Sequence, residues 1–199
     1  SNNTAGSGGG LFVTNSNSVV NLDRLTIVGN TATQTGGGIY TDDGTSFQLI
    51  NSIIWDNAPQ GIDGAGSGNI TYSDIETGVV GVGNIDIYPM FVDTANGNYH
   101  LTASSFLINA GDPETTDADG SRSDMGAYPF ETDNTLPIWY VSITGNDTTG
   151  IGTESNPFRT IQAGINLADF GDSVVVAAGT YTENIILRGQ STKLVGENK

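Results

Sequence analysis

The chain has no cysteine, one histidine and only six lysine and arginine residues in 199 positions. Without cysteine there is neither a disulfide framework nor a thiolate metal site, and the composition fits an oxidising or a reducing compartment equally. A lone histidine builds no histidine-pair zinc site. His100 therefore reads as a structural residue of its strand. The scarcity of cations is one-sided: 22 acidic side chains leave a formal charge of −16 and a pI near 4.1. A chain so acidic, with no basic stripe, is expected to bind neither nucleic acid nor anionic membrane, since both attractions run through Lys and Arg. Long apolar runs are also missing. A stretch such as Val174 to Ala178 is far below the ~20 residues a bilayer span needs, so membrane insertion is not expected. Charged residues make up 14% against a usual ~25%, which leaves Asn, Thr, Ser and Gly to build the polar surface. The opening Ser1-Asn2-Asn3, without initiator methionine or leader, reads as a piece of a longer or processed chain.

What is present is strand material. Isoleucine and valine outnumber leucine roughly three to one, and glycine or Asn/Asp/Thr clusters break the apolar runs every few residues. Leu, Ile, Val and Phe together reach roughly 24%, above the ~20% below which a highly charged chain stays unfolded. The runs also repeat. Asn3-Thr4-Ala5 with Gly8-Gly9-Gly10-Leu11 recurs as Asn30-Thr31-Ala32 with Gly36-Gly37-Gly38-Ile39, an offset of about 27 or 28. The same step carries Val20 onto Phe47, Leu22 onto Leu49, Ile27 onto Ile54 and Asn30 onto Asn57. A shorter step of about 21 carries Leu49-Ile50-Asn51-Ser52 onto Ile70-Thr71-Tyr72-Ser73.

A period of about 21 to 28 residues in short β-rich pieces fits one coil of a parallel β-helix better than a propeller blade or a helical repeat. One coil cannot bury its own Ile, Val and Leu. Coils stacked ~4.8 Å apart give a continuous core and pair their backbones. Asn30 and Asn57 would then stack as an amide ladder, and the Gly36-Gly37-Gly38 run would supply positive φ at a corner.

The pattern Gly36-Gly37-Gly38-Ile39-Tyr40, Leu49-Ile50-Asn51-Ser52-Ile53-Ile54-Trp55-Asp56-Asn57 and Ile70-Thr71-Tyr72-Ser73-Asp74-Ile75-Glu76 resembles bacterial pectin-lyase-like right-handed parallel β-helix proteins. Gly83-Asn84-Ile85-Asp86, Pro89 to Asp93, Tyr99-His100-Leu101, Ile108 to Pro113 and Asp124 to Tyr128 look like the closing segment of such proteins. Trp139 to Ser142, Gly145-Asn146-Asp147, Asn156 to Gln162, Gly171-Asp172, Val174 to Val176 and Gly179-Thr180-Tyr181 look like the opening segment of another. The resemblance implies an all-β right-handed parallel β-helix with a short capping helix near 157–168, secreted or surface-anchored. It divides the chain into coils at 1–83, a closing segment at 84–131, a linker at 132–137 and an opening segment at 138–199.

In that resemblance the end precedes the beginning. Either the piece spans two tandem β-helices of a longer surface protein, or its last coil completes the open first coil of a neighbour. The second arrangement is a heterologous contact and generates filaments. Its expected residues are Leu11 on the first coil, Ile161 and Ile165 on the capping helix Pro157 to Ala168, and Ile185, Leu187 and Leu194 on strands Asn184 to Leu187 and Thr192 to Val195. The expected partners are a second copy, head to tail, or an adjacent β-helix domain, with closure on the same copy as the competing arrangement.

Chemistry is sparse. Elimination on a uronate needs a strong base beside calcium-binding carboxylates, yet residues 1–83 hold one basic residue, Arg24. Asp42, Asp43, Asp56 and Asp74 reproduce no hydrolase constellation, so catalysis is not expected. The acidic run Asp112 to Asp124 has an Asp-x-Asp-Gly core like a calcium loop. Asp117, Asp119 and Asp124 are its candidate calcium ligands, with an Arg122-centred closing turn as the alternative. Trp55 is expected to face outward beside Val28 and Glu76, and with Tyr72 it is a candidate for stacking on a sugar or filling an interface. The reading is an extracellular or cell-surface structural or adhesive module that self-assembles. The alternative is a β-helix that binds or degrades polysaccharide.

Overall fold

Short apolar runs separated by Gly and Asn become short strands, and residues one repeat apart become neighbours. The computed structural model describes residues 1–14, 19–64, 66–132, 137–187 and 191–197. Most of the linker expected at 132–137 lies outside them, as do Arg188 and Lys199. The described residues are all-β apart from one short α-helix and one 3₁₀ turn, and fall into two compact units. Unit 1 is Ser1–Pro89 with Ala110–Thr115 and Arg122–Pro129; unit 2 is Met90–Asn109 with Thr116–Ser121 and Phe130–Lys199.

In unit 1 the chain makes three similar passes. The first carries β1 (Thr4–Ser7), β2 (Leu11–Val13), β3 (Val19–Asp23) and β4 (Thr26–Val28). The second carries β5 (Thr31–Thr35), β6 (Ile39–Thr41), β7 (Ser46–Ile50) and β8 (Ile53–Trp55), and the third β9 (Ile62–Gly64), β10 (Ser67–Thr71) and β11 (Asp74–Ile75). Like strands pair in parallel, giving sheets β2-β6-β9, β3-β7-β10 and β4-β8-β11 and the pair β1-β5. The sequence offsets are the ladder registers: Val20 pairs with Phe47, Leu22 with Leu49, Ile27 with Ile54 and Leu49 with Ile70. The core is therefore columns of like side chains, with Val13, Ile39, Phe47, Leu49, Ile54 and Ile75 buried and Leu11, Val20, Leu22 and Ile27 packed against them.

Two polar ladders run beside these columns. Asn30 Oδ1 accepts from Asn3 N and Nδ2 at 3.1 and 3.0 Å, and Asn57 Oδ1 accepts from Asn30 N and Nδ2 at 3.0 and 2.9 Å. A second ladder passes from Leu25 N to Ser52 Oγ, from Ser52 N to Ser73 Oγ and from Ser73 N to Asn84 Oδ1. Of the Gly36-Gly37-Gly38 run only Gly36 takes positive φ, +62°. Gly37 is required for another reason: a Cβ there would overlap the carbonyl of Ala58.

In unit 2, β14 (Ile138–Val141), β15 (Ser173–Val176) and β16 (Lys193–Gly196) form a parallel sheet, and β12 (Phe91–Asp93) pairs antiparallel with β13 (Asn98–Leu101). Trp139 and Phe158 stack in the core, ring centroids 6.2 Å apart. The helix α1 covers Ile161–Leu167 rather than the expected 157–168. Phe158 is held extended by a bridge to Val141, so the helix starts only after Thr160, whose side chain accepts from Ala163 N. Glu183 completes that cap by accepting from Ile161 N and Gln162 N at 2.9 and 3.0 Å. Asn166 on the helix donates to the carbonyls of Ala103 and Ser105. The strand expected at Asn184 to Leu187 is absent, because Gln162 Oε1 takes the Ile186 N–H at 2.8 Å.

Candidate functional site

An exposed edge of a parallel sheet carries unpaired backbone groups and one uncovered rung of the core column. Among the described residues, β16 in unit 2 and the first pass of unit 1 supply such edges. In unit 2 the ladder pairs Trp139 with Val174 and Val174 with Leu194. Exposure along that column is 0%, 0% and then 48%, since β16 is paired on one side only. Ile185, Ile186, Leu187 and Phe170 of unit 2 are exposed as well. The opposite side of this sheet is occupied: Tyr140 N donates to Gly152 O, Ser142 N to Phe158 O, and α1 packs on β14.

Unit 1 has the reverse asymmetry. Its third pass is covered by residues 77–85, where Tyr72 N donates to Val82 O and Asn84 Nδ2 to Ile70 O, both at 2.8 Å. Its first pass is the edge of every sheet it enters, and Leu11, Val20, Leu22 and Ile27 there stay partly exposed. Of the residues expected to serve assembly, Leu11 lies on this edge and Leu194 on the β16 edge of unit 2, while Ile185 and Leu187 are exposed but outside any strand. Ile161 is half-buried, and Ile165 is buried in the core of unit 2.

Trp55 is half-buried in register with Val28, and its ring meets Tyr88 edge-on at 6.2 Å. Tyr88, which the sequence reading passed over, is 60% exposed. Tyr72 takes φ +48°, and its ring fills the space beside Gly83, so it packs under the covering loop instead of joining Trp55.

Among the described residues no three His, Cys, Asp or Glu side chains are grouped to hold a metal. Asp119 Oδ1 accepts from Ser121 N and Oγ at 3.0 and 2.6 Å, and Oδ2 from Thr132 N at 3.1 Å. Arg122 donates to the carbonyls of Gly111 and Ala110. Backbone carbonyls are thus what the Arg-centred turn is built on.

Asp74, one of the four carboxylates weighed for hydrolysis, is fully buried. Its Oδ1 accepts from Ile87 N at 3.0 Å, and its Oδ2 has no partner. Burial, with Asp86 and Glu76 nearby, pushes its pKa up to about 7 against the lowering effect of the Ile87 N–H. The repeat held the signal: Asp74 is the ladder partner of Ile53, so an acid stands at the register position of a buried isoleucine. No described helix is long and apolar enough to cross a membrane.

A family model described as "Protein of unknown function (DUF1565)" matches residues 143–187, a stretch within unit 2 that runs through α1 and β15. No curated protein and no solved structure matches the chain.

Proposed function

We propose that this chain is a structural module of right-handed parallel β-helices, secreted or displayed at a cell surface, that joins end to end with a second copy of itself. Three stacked passes with like strands in register support the β-helix reading of unit 1. The matched family, one of right-handed β-helix-like proteins, supports it for unit 2. The observation that carries the assembly reading is the opposed asymmetry of the edges. Unit 1 is covered after its last pass and open at its first, whereas unit 2 is covered before β14 and open at β16. Each copy thus carries two open rungs for a second copy to cover.

The occupant is a second copy because the chemistry of the two edges matches. Leu194 on β16 is an exposed apolar side chain, and Val20, Leu22 and Ile27 on β3 and β4 of the first pass are apolar side chains left partly exposed. Burying them supplies the driving force at ~25 cal/mol per Å² of apolar surface. Three of the six basic residues, Arg188, Lys193 and Lys199, fall in the last twelve positions, whereas residues 1–83 carry seven acidic side chains and only Arg24. Backbone pairing sets direction and register, and the acidic flanks oppose lateral clumping.

Sedimentation velocity tests this. The full chain is expected to sediment as a concentration-dependent series of oligomers, and Leu194→Asp as a monomer with unchanged circular dichroism. A monomeric wild type, or a variant that associates equally, overturns the reading. The half-buried Trp55 beside exposed Tyr88 favours a second reading, polysaccharide binding at an outer face. Under that reading Trp55→Ala loses retention on a polysaccharide column while oligomers persist.

A further inference from the structure

We propose that Asp74 is the latch of an acid-tightened clasp: its buried carboxyl holds the segment 85–89 over the last pass of unit 1, and loss of its proton favours release of that segment. The geometry is specific. Asp74 is the first residue of β11, and its Oδ1 receives the N–H of Ile87, thirteen residues on. Two further bonds hold the same segment, Ile85 N to Ser73 O and Ile75 N to Ile85 O, both at 3.0 Å. Residues 85–89 are also the last of unit 1 before the chain passes to unit 2.

The neutral carboxyl is tolerated there and the carboxylate is not. Oδ2 is sealed from solvent and has no hydrogen-bond partner among the described residues, so a negative charge would have the Ile87 N–H as its one donor and no water. The ladder partners on β8, Ile53 and Ile54, are apolar, and Gly126, which packs against Ile53, adds no cation. The charged groups acting on Asp74 are Asp86 on the clasp itself and Glu76 two positions on, both acidic. Arg122, on the segment that leads to Met125, is engaged with the carbonyls of Gly111 and Ala110. Opening hydrates Asp74 and returns it to the ordinary carboxyl range near 3.8, whereas the closed clasp holds it near 7. The opening equilibrium therefore rises about tenfold per pH unit through the interval and levels off above it.

Hydrogen exchange on the full chain tests the clasp, with rates corrected for the intrinsic pH dependence of amide exchange. Protection of the Ile85 and Ile87 amides is expected to fall about fiftyfold from pH 5 to pH 7. Asp74→Asn, which keeps the acceptor for Ile87 N, is expected to vary less than about threefold over that interval. Flat wild-type protection, or the same slope in Asp74→Asn, overturns the proposal. Should Asp74→Asn fail to fold, Asp86→Asn decides. Removing that neighbouring charge must lower the pH at which protection levels off, and an unmoved curve refutes the latch.

Discussion

Replacing Asn57 by alanine removes four hydrogen bonds from the middle of the amide ladder. Its Oδ1 accepts from Asn30 N and Nδ2, and its Nδ2 donates to the carbonyls of Ile27 and Trp55 at 2.8 and 2.9 Å. Alanine leaves the buried Asn30 with a backbone N–H and an amide N–H facing no acceptor, in a site 1% exposed. Each orphaned buried donor costs about 1–3 kcal/mol, so the expected loss is about 3 kcal/mol. Asn57→Asp keeps the acceptor but turns a carboxylate toward two carbonyls, and is expected to cost more than alanine at pH 7. Lowering the pH to 3 should recover part of that excess relative to wild type, as the protonated acid regains one donor. Native-state hydrogen exchange at the Leu49 and Ile54 amides, both in core strands, reads the loss directly. The double variant with Asn30→Ala should fall short of additivity by about 1 kcal/mol, because the two residues share their bonds. A loss below about 0.5 kcal/mol for Asn57→Ala, or strict additivity, would refute the claim that this ladder holds the passes in register.

Other outcomes follow from single sites. Asp74 binds its proton more tightly folded than unfolded, so its contribution to stability is complete below about pH 4 and declines as pH rises to about 7. Asp74→Asn should therefore stabilise unit 1 at pH 8 by up to ~4 kcal/mol and change it little at pH 3.5, as read from urea midpoints. Gly37→Ala forces a Cβ against the Ala58 carbonyl and should cost more than ~2 kcal/mol, whereas Gly6→Ser, at a glycine outside the positive-φ region whose added Cβ meets nothing, should cost less than ~1 kcal/mol. Glu183→Gln removes the carboxylate that caps α1 and should loosen the Ile161 and Gln162 amides by about 0.3–1 kcal/mol in exchange experiments.

The repeat made the paired strands of unit 1 legible, because a parallel ladder requires like residues at a fixed offset. Val20 with Phe47, Ile27 with Ile54 and Asn30 with Asn57 could each be read before any coordinate. What escaped depended on side chains reaching across long loops. Gln162 takes the Ile186 N–H and so removes a strand, and Glu183 caps a helix more than twenty positions earlier. No local propensity encodes either bond. In the acidic run the Asp-x-Asp-Gly spacing suits a calcium loop, but spacing alone did not say that Asp119 would accept from Ser121 and Thr132. Asp74 was visible in the repeat as an acid in phase with Ile53, yet spacing alone did not say that the position is sealed.

Because the chain has no cysteine, paired thiols can test the end-to-end contact against a silent background. Stacked rungs lie ~4.8 Å apart, within the ~4.4–6.8 Å Cα separation a disulfide accepts. Leu194→Cys and Ile27→Cys, made in separate chains, mixed and oxidised, should yield a cross-linked dimer that neither yields alone. Both substitutions in one chain should yield a ladder of covalent multimers. No cross-link in the mixture, or only a cross-linked monomer from the double variant, would contradict assembly through the β16 edge.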